Sequence, residues 1–168
     1  MVQFLGFRSE THALANTIQL VTIKADQFGA VFYPGGHGPL WDLANDEDSI
    51  ALIQKMITTE KAVALVCHVP GVLKDVMLDG APLVKGRQVT GFSNTEEEAA
   101  YLTKMVPFLV EDELKQLGGL YAKGPDWGAF IKVDGNLITG QNPASSAPGV
   151  CSILKLIQAK EALETVSR

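Results

Sequence analysis

Cysteine is scarce in this chain: Cys67 and Cys151 are the only two in 168 residues. Two thiols do not make a disulfide framework, so the expected compartment is the reducing cytoplasm. Positive charge is also short, with 14 Lys+Arg against 19 Asp+Glu, a formal net charge of -5 and no run of more than two basic residues. That balance excludes the usual footprint of a nucleic-acid or anionic-membrane partner. No apolar run approaches the roughly 18 residues of a membrane span. The start, Met1-Val2-Gln3-Phe4-Leu5-Gly6, lacks a signal peptide's basic n-region and its apolar h-region of roughly 7–15 residues. Histidine occurs three times, at His12, His37 and His68, without the Cys or carboxylate spacing of a metal site, so neither metal nor cofactor is expected. Neither a GxGxxG fingerprint nor a GxxxxGK[ST] loop occurs. What remains is ordinary for a soluble globular protein, with 46% hydrophobic and 20% charged residues. The length suits one domain, residues 1–168, around a single core.

Apolar segments alternate between strand and helix character. Phe28 to Tyr33 is a short apolar run closed by Pro34-Gly35-Gly36, a strand entering a tight loop. Asp48 to Lys61 carries Ile50, Ile53, Met56 and Ile57 at helical spacing. Ala62 to Cys67 is too apolar to alternate, as in a central parallel strand covered on both faces. Val69 to Val76 reads as a helix with Pro70 in its first turn. Arg87 to Phe92 reads as a strand, after which Ser93 or Thr95 can cap a helix from Glu96 to Met105. Glu111 to Leu117 is a short helix ending at Gly118-Gly119. Phe130 to Val133 and Leu137 to Gly140 flank Asp134-Gly135-Asn136 as a β-hairpin. A closing helix, Pro148 to Glu164, turns Val150, Ile153, Leu154 and Ile157 inward. Strands separated by helices favour an α/β sandwich on an open, mostly parallel sheet.

Cys67 ends an apolar strand at a strand-to-helix turn, His68-Val69-Pro70-Gly71. Open α/β folds present reactive groups there, at the carboxyl ends of strands. A nucleophile on such a turn is held at the sheet's edge, where backbone N–H groups can face an oxyanion. A free thiol near pKa 8.5 needs a base or a helix N-terminus to activate it, and His68 and the following helix offer both. A buried core cysteine is an equal alternative on local chemistry alone. Cys151, among Val150, Ile153 and Leu154, reads as core. Pro34-Gly35-Gly36-His37-Gly38-Pro39 places three glycines in four positions, which suits close backbone approach to a ligand as well as a plain turn. His37 is either a ligand contact or a loop histidine with satisfied bonds.

Taken together, Phe32-Tyr33-Pro34-Gly35-Gly36-His37-Gly38, Ala64-Leu65-Val66-Cys67-His68-Val69-Pro70, Val89-Thr90-Gly91-Phe92-Ser93-Asn94 and Leu137 to Ser146 resemble the Hsp31-like branch of the DJ-1/PfpI superfamily, in order from about Leu14 to Leu156. The resemblance implies a flavodoxin-like three-layer sandwich, a Cys-His pair with a nearby acid, and usually a homodimer. It implies a glutathione-independent glyoxalase that turns methylglyoxal, a small 2-oxoaldehyde, into D-lactate, with deglycase and chaperone activities also discussed. Carried over by position, Cys67 matches the nucleophile, His68 the adjoining base and Glu97 the acid, with Glu96 the next possibility. The Gly36 and His68 amides match the oxyanion donors, and Gly35, Gly36, His37 and Val69 form the expected oxyanion and substrate-binding set.

The family pattern has a further strand and helix ahead of the point where this sequence starts, a segment that supplies a glutamate beside the cysteine. Met1 to Thr11 holds no strand-helix-strand unit, which needs roughly 30 residues, so an N-terminally short domain with an unpaired edge is expected. Glutamine amidotransferase chemistry is disfavoured, because no histidine follows His68. A peptidase of the PfpI kind needs assembled oligomers. The non-enzymatic alternative is a stress-response chaperone or redox sensor in which Cys67 is oxidised.

Overall fold

The computed structural model describes residues 15–166. Met1 to Thr11 and His12 lie outside them. Among the described residues four strands form the central sheet in the order β1, β2, β8, β7: Ala30–Tyr33, Ala62–Val66, Leu137–Gly140 and Ile131–Asp134. The first three are parallel, and β7 joins β8 antiparallel through the expected hairpin. Gly135 takes φ +59 in its turn, while the Asn136 side chain donates to the Ile57 and Lys61 carbonyls at 3.0 and 2.9 Å. The α/β sandwich and the mostly parallel sheet are as expected. Among the described residues β1 is an edge.

All five residues of β2 are buried, and their alternation builds two unlike faces. Val63 and Leu65 pack with Ile53, Met56 and Ile57 of α1 (Glu47–Thr58) in the larger core cluster. Ala62 and Ala64 face the other way, against Ile138 and against Ile153, Leu156 and Ile157 of the closing helix α4 (Ser146–Val166). The small residues on that face let α4 lie close. A Cβ on Gly140 would stand 2.6 Å from Val66 Cγ1 and 2.8 Å from Ser145 Cβ, nearer than side chains tolerate. Polar caps fix where helices begin. Asp46 accepts from Ser49 N at 2.7 Å at the start of α1, with Glu47 and Asp48 in its first turn.

Several segments depart from expectation. Two small ladders stand apart from the central sheet, the hairpin β3–β4 (Met77–Leu78, Ala81–Pro82) and the parallel pair β5–β6 (Gln88–Val89, Leu120–Tyr121). The strand expected over Arg87 to Phe92 is therefore only Gln88–Val89. Beyond it Thr90 N donates to Thr139 Oγ1 and Phe92 N to the Cys67 carbonyl, so the backbone leaves the ladder to brace the site. The helix expected over Glu96 to Met105 is α2, Asn94–Ala99, which stops just before Tyr101 at φ +61. Val69–Asp75 is a 3-10 helix rather than an α-helix. In α3 (Val110–Gln116) the boundaries shift by one residue.

The closing helix corrects the reading of Cys151. The face toward the sheet is Gly149, Ile153, Leu156 and Ile157, an i, i+4, i+7, i+8 stripe. Cys151 and Leu154 sit two and five positions on, off that stripe, and both are exposed. Cys151 is thus a surface residue, not core.

Candidate functional site

Three segments meet at the carboxyl ends of β1 and β2. Cys67 directly follows β2 and takes φ +65, a left-handed conformation that a side-chain-bearing residue adopts at a cost of about 1–3 kcal/mol. Its backbone is held from both sides, its N–H donating to the Gly140 carbonyl and its C=O accepting from Phe92 N, at 2.9 and 2.8 Å. The strained elbow is therefore over-determined by two neighbouring segments. Gly35, in the loop after β1, passes so close that a Cβ there would lie 3.2 Å from Cys67 Cβ, and its φ of +114 also demands glycine.

Cys67 is 5% exposed, and its sulfur lies 3.1 Å from His68 Nδ1. The other ring nitrogen, His68 Nε2, lies 2.7 Å from Glu97 Oε2. A carboxylate accepts only, so Nε2 carries the proton and Nδ1 presents its lone pair to the thiol. The His68 ring is sandwiched between the rings of His37 and Phe92, with centroids 3.6 and 4.0 Å away. That stack fixes the imidazole plane. Cys67, His68 and Glu97 thus form one continuous relay.

Electrostatics keep the Cys67–His68 pair neutral at rest. Burial pushes the Cys67 thiol up to about 11, although the backbone N–H groups of Gly36 and His68 point at the sulfur and pull the other way. Burial likewise pushes His68 down to about 4, against the opposite pull of Glu97. The pair is thiol and neutral imidazole rather than thiolate and imidazolium. The two amides that lower the thiol are those of Gly36 and His68, the expected oxyanion donors.

The two glutamates divide the work. Glu97 meets the imidazole, whereas Glu96 is tied into the structure around it. Glu96 Oε2 accepts from Ser93 Oγ and Ser93 N at 2.8 and 3.1 Å, completing a capping box. Its Oε1 accepts from Asn142 Nδ2 and Trp127 N, both at 2.8 Å. Adjacent residues on one helical turn point in different directions, so one faces the site and the other anchors the cap.

His37, from the loop after β1, is partly exposed, with Nε2 3.3 Å from Glu97 Oε1. Of the expected substrate-side set, Gly35, Gly36 and His37 surround the sulfur and the imidazole, while the Val69 side chain sits in the main core. Three residues were given no role in the site from the sequence. Phe92 stacks on His68, Trp127 meets Phe92 edge-on at 5.7 Å, and Asn142 ties Glu96 to the Gly128 carbonyl. Trp127 takes φ +62 and is 52% exposed, an aromatic wall at the rim. A groove lies at the opposite end of the sheet, lined by Asp26, Phe28, Lys61, Asn136 and Lys160, far from this chemistry.

A strained cysteine elbow between the strands of a parallel sheet, facing a glycine loop, defines a class of α/β proteins built around one thiol. The chain belongs to the DJ-1/PfpI family, whose model matches residues 8–155. It is 32% identical over 133 residues to glutathione-independent glyoxalase HSP31 of Saccharomyces cerevisiae, covering 74% of this chain and 55% of that protein. It is 30% identical over 146 residues to glyoxalase 3 of Candida albicans, covering 80% and 60%. Rapid Encystment Protein 24 KDa of Francisella tularensis superposes with a TM-score of 0.85 at 29% identity, covering 92% of this chain and 69% of that one. These relatives place the chain with the Hsp31-like branch and its flavodoxin-like fold. The chain spans under two thirds of the length of the two glyoxalases it matches. Among the described residues no helix is long and apolar enough to cross a membrane.

Proposed function

We propose that the protein is a glutathione-independent glyoxalase acting on small 2-oxoaldehydes, with methylglyoxal converted to D-lactate. The observation that carries this reading is the relay of Cys67 Sγ, His68 and Glu97 at 3.1 and 2.7 Å, with the Gly36 and His68 backbone amides turned toward the sulfur. The names of the yeast and Candida relatives support the substrate class.

In this reading His68 Nδ1 takes the Cys67 proton as the sulfur attacks the aldehyde carbon. The C–S bond forms and the carbonyl electrons move to oxygen, where the Gly36 and His68 amides hold the charge. The imidazolium returns its proton to that oxygen, giving a hemithioacetal. His68 next removes the hydrogen from the former aldehyde carbon, forming an enediol, and protonation of the neighbouring carbon leaves a lactoyl thioester. Water cleaves it to lactate and thiol. The net change is the addition of one water with an internal hydrogen shift, so no external oxidant or reductant enters. Glu97 holds the tautomer and stabilises the imidazolium, the task of the third member of a triad. Substrate entry displaces water and brings an electrophile, which favours transfer of the thiol proton that burial otherwise retains.

Oxidation of Cys67 as a signal is the weaker alternative, because sulfenic acid forms fastest at an exposed, low-pKa thiolate. Cys67 is buried and its pKa is raised. The deciding assay is lactate formation from methylglyoxal without glutathione, beside a Cys67→Ala variant. Turnover confined to the unmodified protein supports the reading. A folded protein that makes no lactate overturns it and leaves the redox or chaperone role.

A further inference from the structure

A Cys-His-acid relay is complete with Cys67, His68 and Glu97, and it does not require His37. Yet His37 brings a second imidazole against the same carboxylate. The donor atoms of His37, His68 and Glu97 all lie within 4.8 Å of one another, though they come from the loop after β1, the turn after β2 and the first turn of α2. Both imidazoles aim Nε2 at Glu97, at 3.3 and 2.7 Å, one to each oxygen.

Two imidazoles and one carboxylate with an open fourth position is a donor set that zinc takes in catalytic sites. With metal–ligand bonds of about 2.0–2.2 Å, tetrahedral geometry sets ligand atoms about 3.4 Å apart. The three donor atoms lie within 4.8 Å of one another, with His37 Nε2 3.3 Å from Glu97 Oε1 and His68 Nε2 2.7 Å from Oε2, so binding requires the set to draw in around one shared position. Both rings already turn Nε2 toward Glu97, so neither has to flip, but their centroids, 3.6 Å apart, have to part as they converge on the cation. His37 is 36% exposed, which leaves a way in, while His68 and Glu97 are 0% and 2% exposed. Cys67 Sγ sits on the far side of the ring, at Nδ1, and is not among the donors.

We propose that His37, His68 and Glu97 form an open three-ligand site for a divalent cation of the zinc class, and that filling it switches off Cys67. The switch is tautomeric, and this half rests on the glyoxalase reading above. Without the cation, Nε2 of His68 holds the proton and Nδ1 is the acceptor for the thiol. When the cation takes the Nε2 lone pair, the Nε2–H bond is lost and an Nδ1–H bond forms. No electron is transferred and no proton leaves the ring. The Nδ1–H then points at the sulfur and has no lone pair with which to take its proton. Metal occupancy and base function therefore exclude one another.

The test is a titration of the metal-free protein with Co2+ at neutral pH, followed by visible absorption and by displacement with Zn2+. One Co2+ per chain is expected, with the ligand-field bands of a four-coordinate centre and no sulfur charge-transfer band. Cys67→Ala should bind identically. His37→Gln and His37→Ala, each checked for folding by circular dichroism, should bind more than roughly 100-fold more weakly, since even losing an outer-shell partner costs 10–100-fold. Zn2+ at one equivalent should abolish lactate formation by the unmodified protein. Sub-stoichiometric binding, binding unchanged in both His37 variants, or a charge-transfer band that vanishes in Cys67→Ala would each overturn the site. Full activity with the site filled would overturn the switch alone. Tight binding in a protein that makes no lactate before metal is added would keep the site and overturn the glyoxalase reading together with the switch.

Discussion

The two cysteines sit in opposite environments. Cys67 is buried at a strained elbow, with two backbone bonds holding it and two amides and an imidazole around its sulfur. Cys151 rides on the outer side of α4, exposed. Both lie in apolar stretches of sequence, so local composition does not separate them. What separates them is backbone conformation and helical phase. A thiol becomes chemically special when neighbouring segments force its geometry, and a thiol on a continuous helix is left to solvent.

The largest effect that could break this comparison is on turnover. Cys67→Ala should reduce lactate formation to background, whereas Cys151→Ala should leave it unchanged, with stability within roughly 0.5 kcal/mol of the parent. An equal loss in both would dissolve the contrast. The next is alkylation. With its pKa at about 11, Cys67 is about one part in a thousand thiolate at pH 8, and it is buried as well. Peptide mapping after iodoacetamide should find Cys151 labelled first by a factor of about 100 or more. The Cys67 rate should then rise roughly tenfold per pH unit up to its pKa, because its thiolate fraction does.

Smaller effects concern the backbones that carry each thiol. Gly35→Ala forces a side chain into φ +114 and against Cys67 Cβ, and should cost about 1–3 kcal/mol in urea unfolding. Gly149→Ala, beside Cys151, meets Val66 and Phe32 at 3.6 and 3.8 Å, ordinary contact, in the first turn of a helix. It should stabilise by about 0.5–1 kcal/mol. Opposite signs would sharpen the contrast, and equal losses would show that α4 is packed as tightly as the elbow.

An effect of similar size, and confined to one range of pH, concerns a buried carboxylate outside the relay. Glu111 is desolvated, which raises its pKa, but Lys115 and the Asn94 N–H outweigh that and lower it overall. A depressed folded-state pKa adds stability above the unfolded value and loses it as pH falls through the folded one. Glu111→Gln should therefore cost about 1 kcal/mol at pH 7 and progressively less below about pH 4. A difference that persists at pH 3 would mean shape rather than charge is responsible.

Much of the fold was legible because β2 and α1 carry strong periodic signals. Ala62 to Val66 is apolar throughout, and Ile53, Met56 and Ile57 recur at helical spacing. The hairpin announced itself through Asp134-Gly135-Asn136. Arg87 to Phe92 misled, since its β-prone residues are recruited by Cys67 and Thr139 instead of a ladder. Leu154 and Cys151 misled because six apolar residues within the eight positions from Val150 to Ile157 fit more than one helical phase. In the site, Cys67, His68 and Glu97 were identified through the family resemblance, while Phe92, although part of a quoted motif, and Trp127 showed no sign of their stacking roles, because stacking partners need only be aromatic and near.

The sequence by itself determined the alternation of strands and helices, the glycine loop after β1, and a cysteine at the end of a buried strand. Those properties depend on periodicity and on neighbours along the chain. Only the tertiary structure decided that Glu97 rather than Glu96 meets the imidazole, that His37 faces the same carboxylate, and that Cys151 is exposed. Each depends on the angle at which one segment meets another across 29 or more positions, or on which face of a helix a sheet covers. Distances between such segments follow from packing the whole core, and no local pattern encodes them.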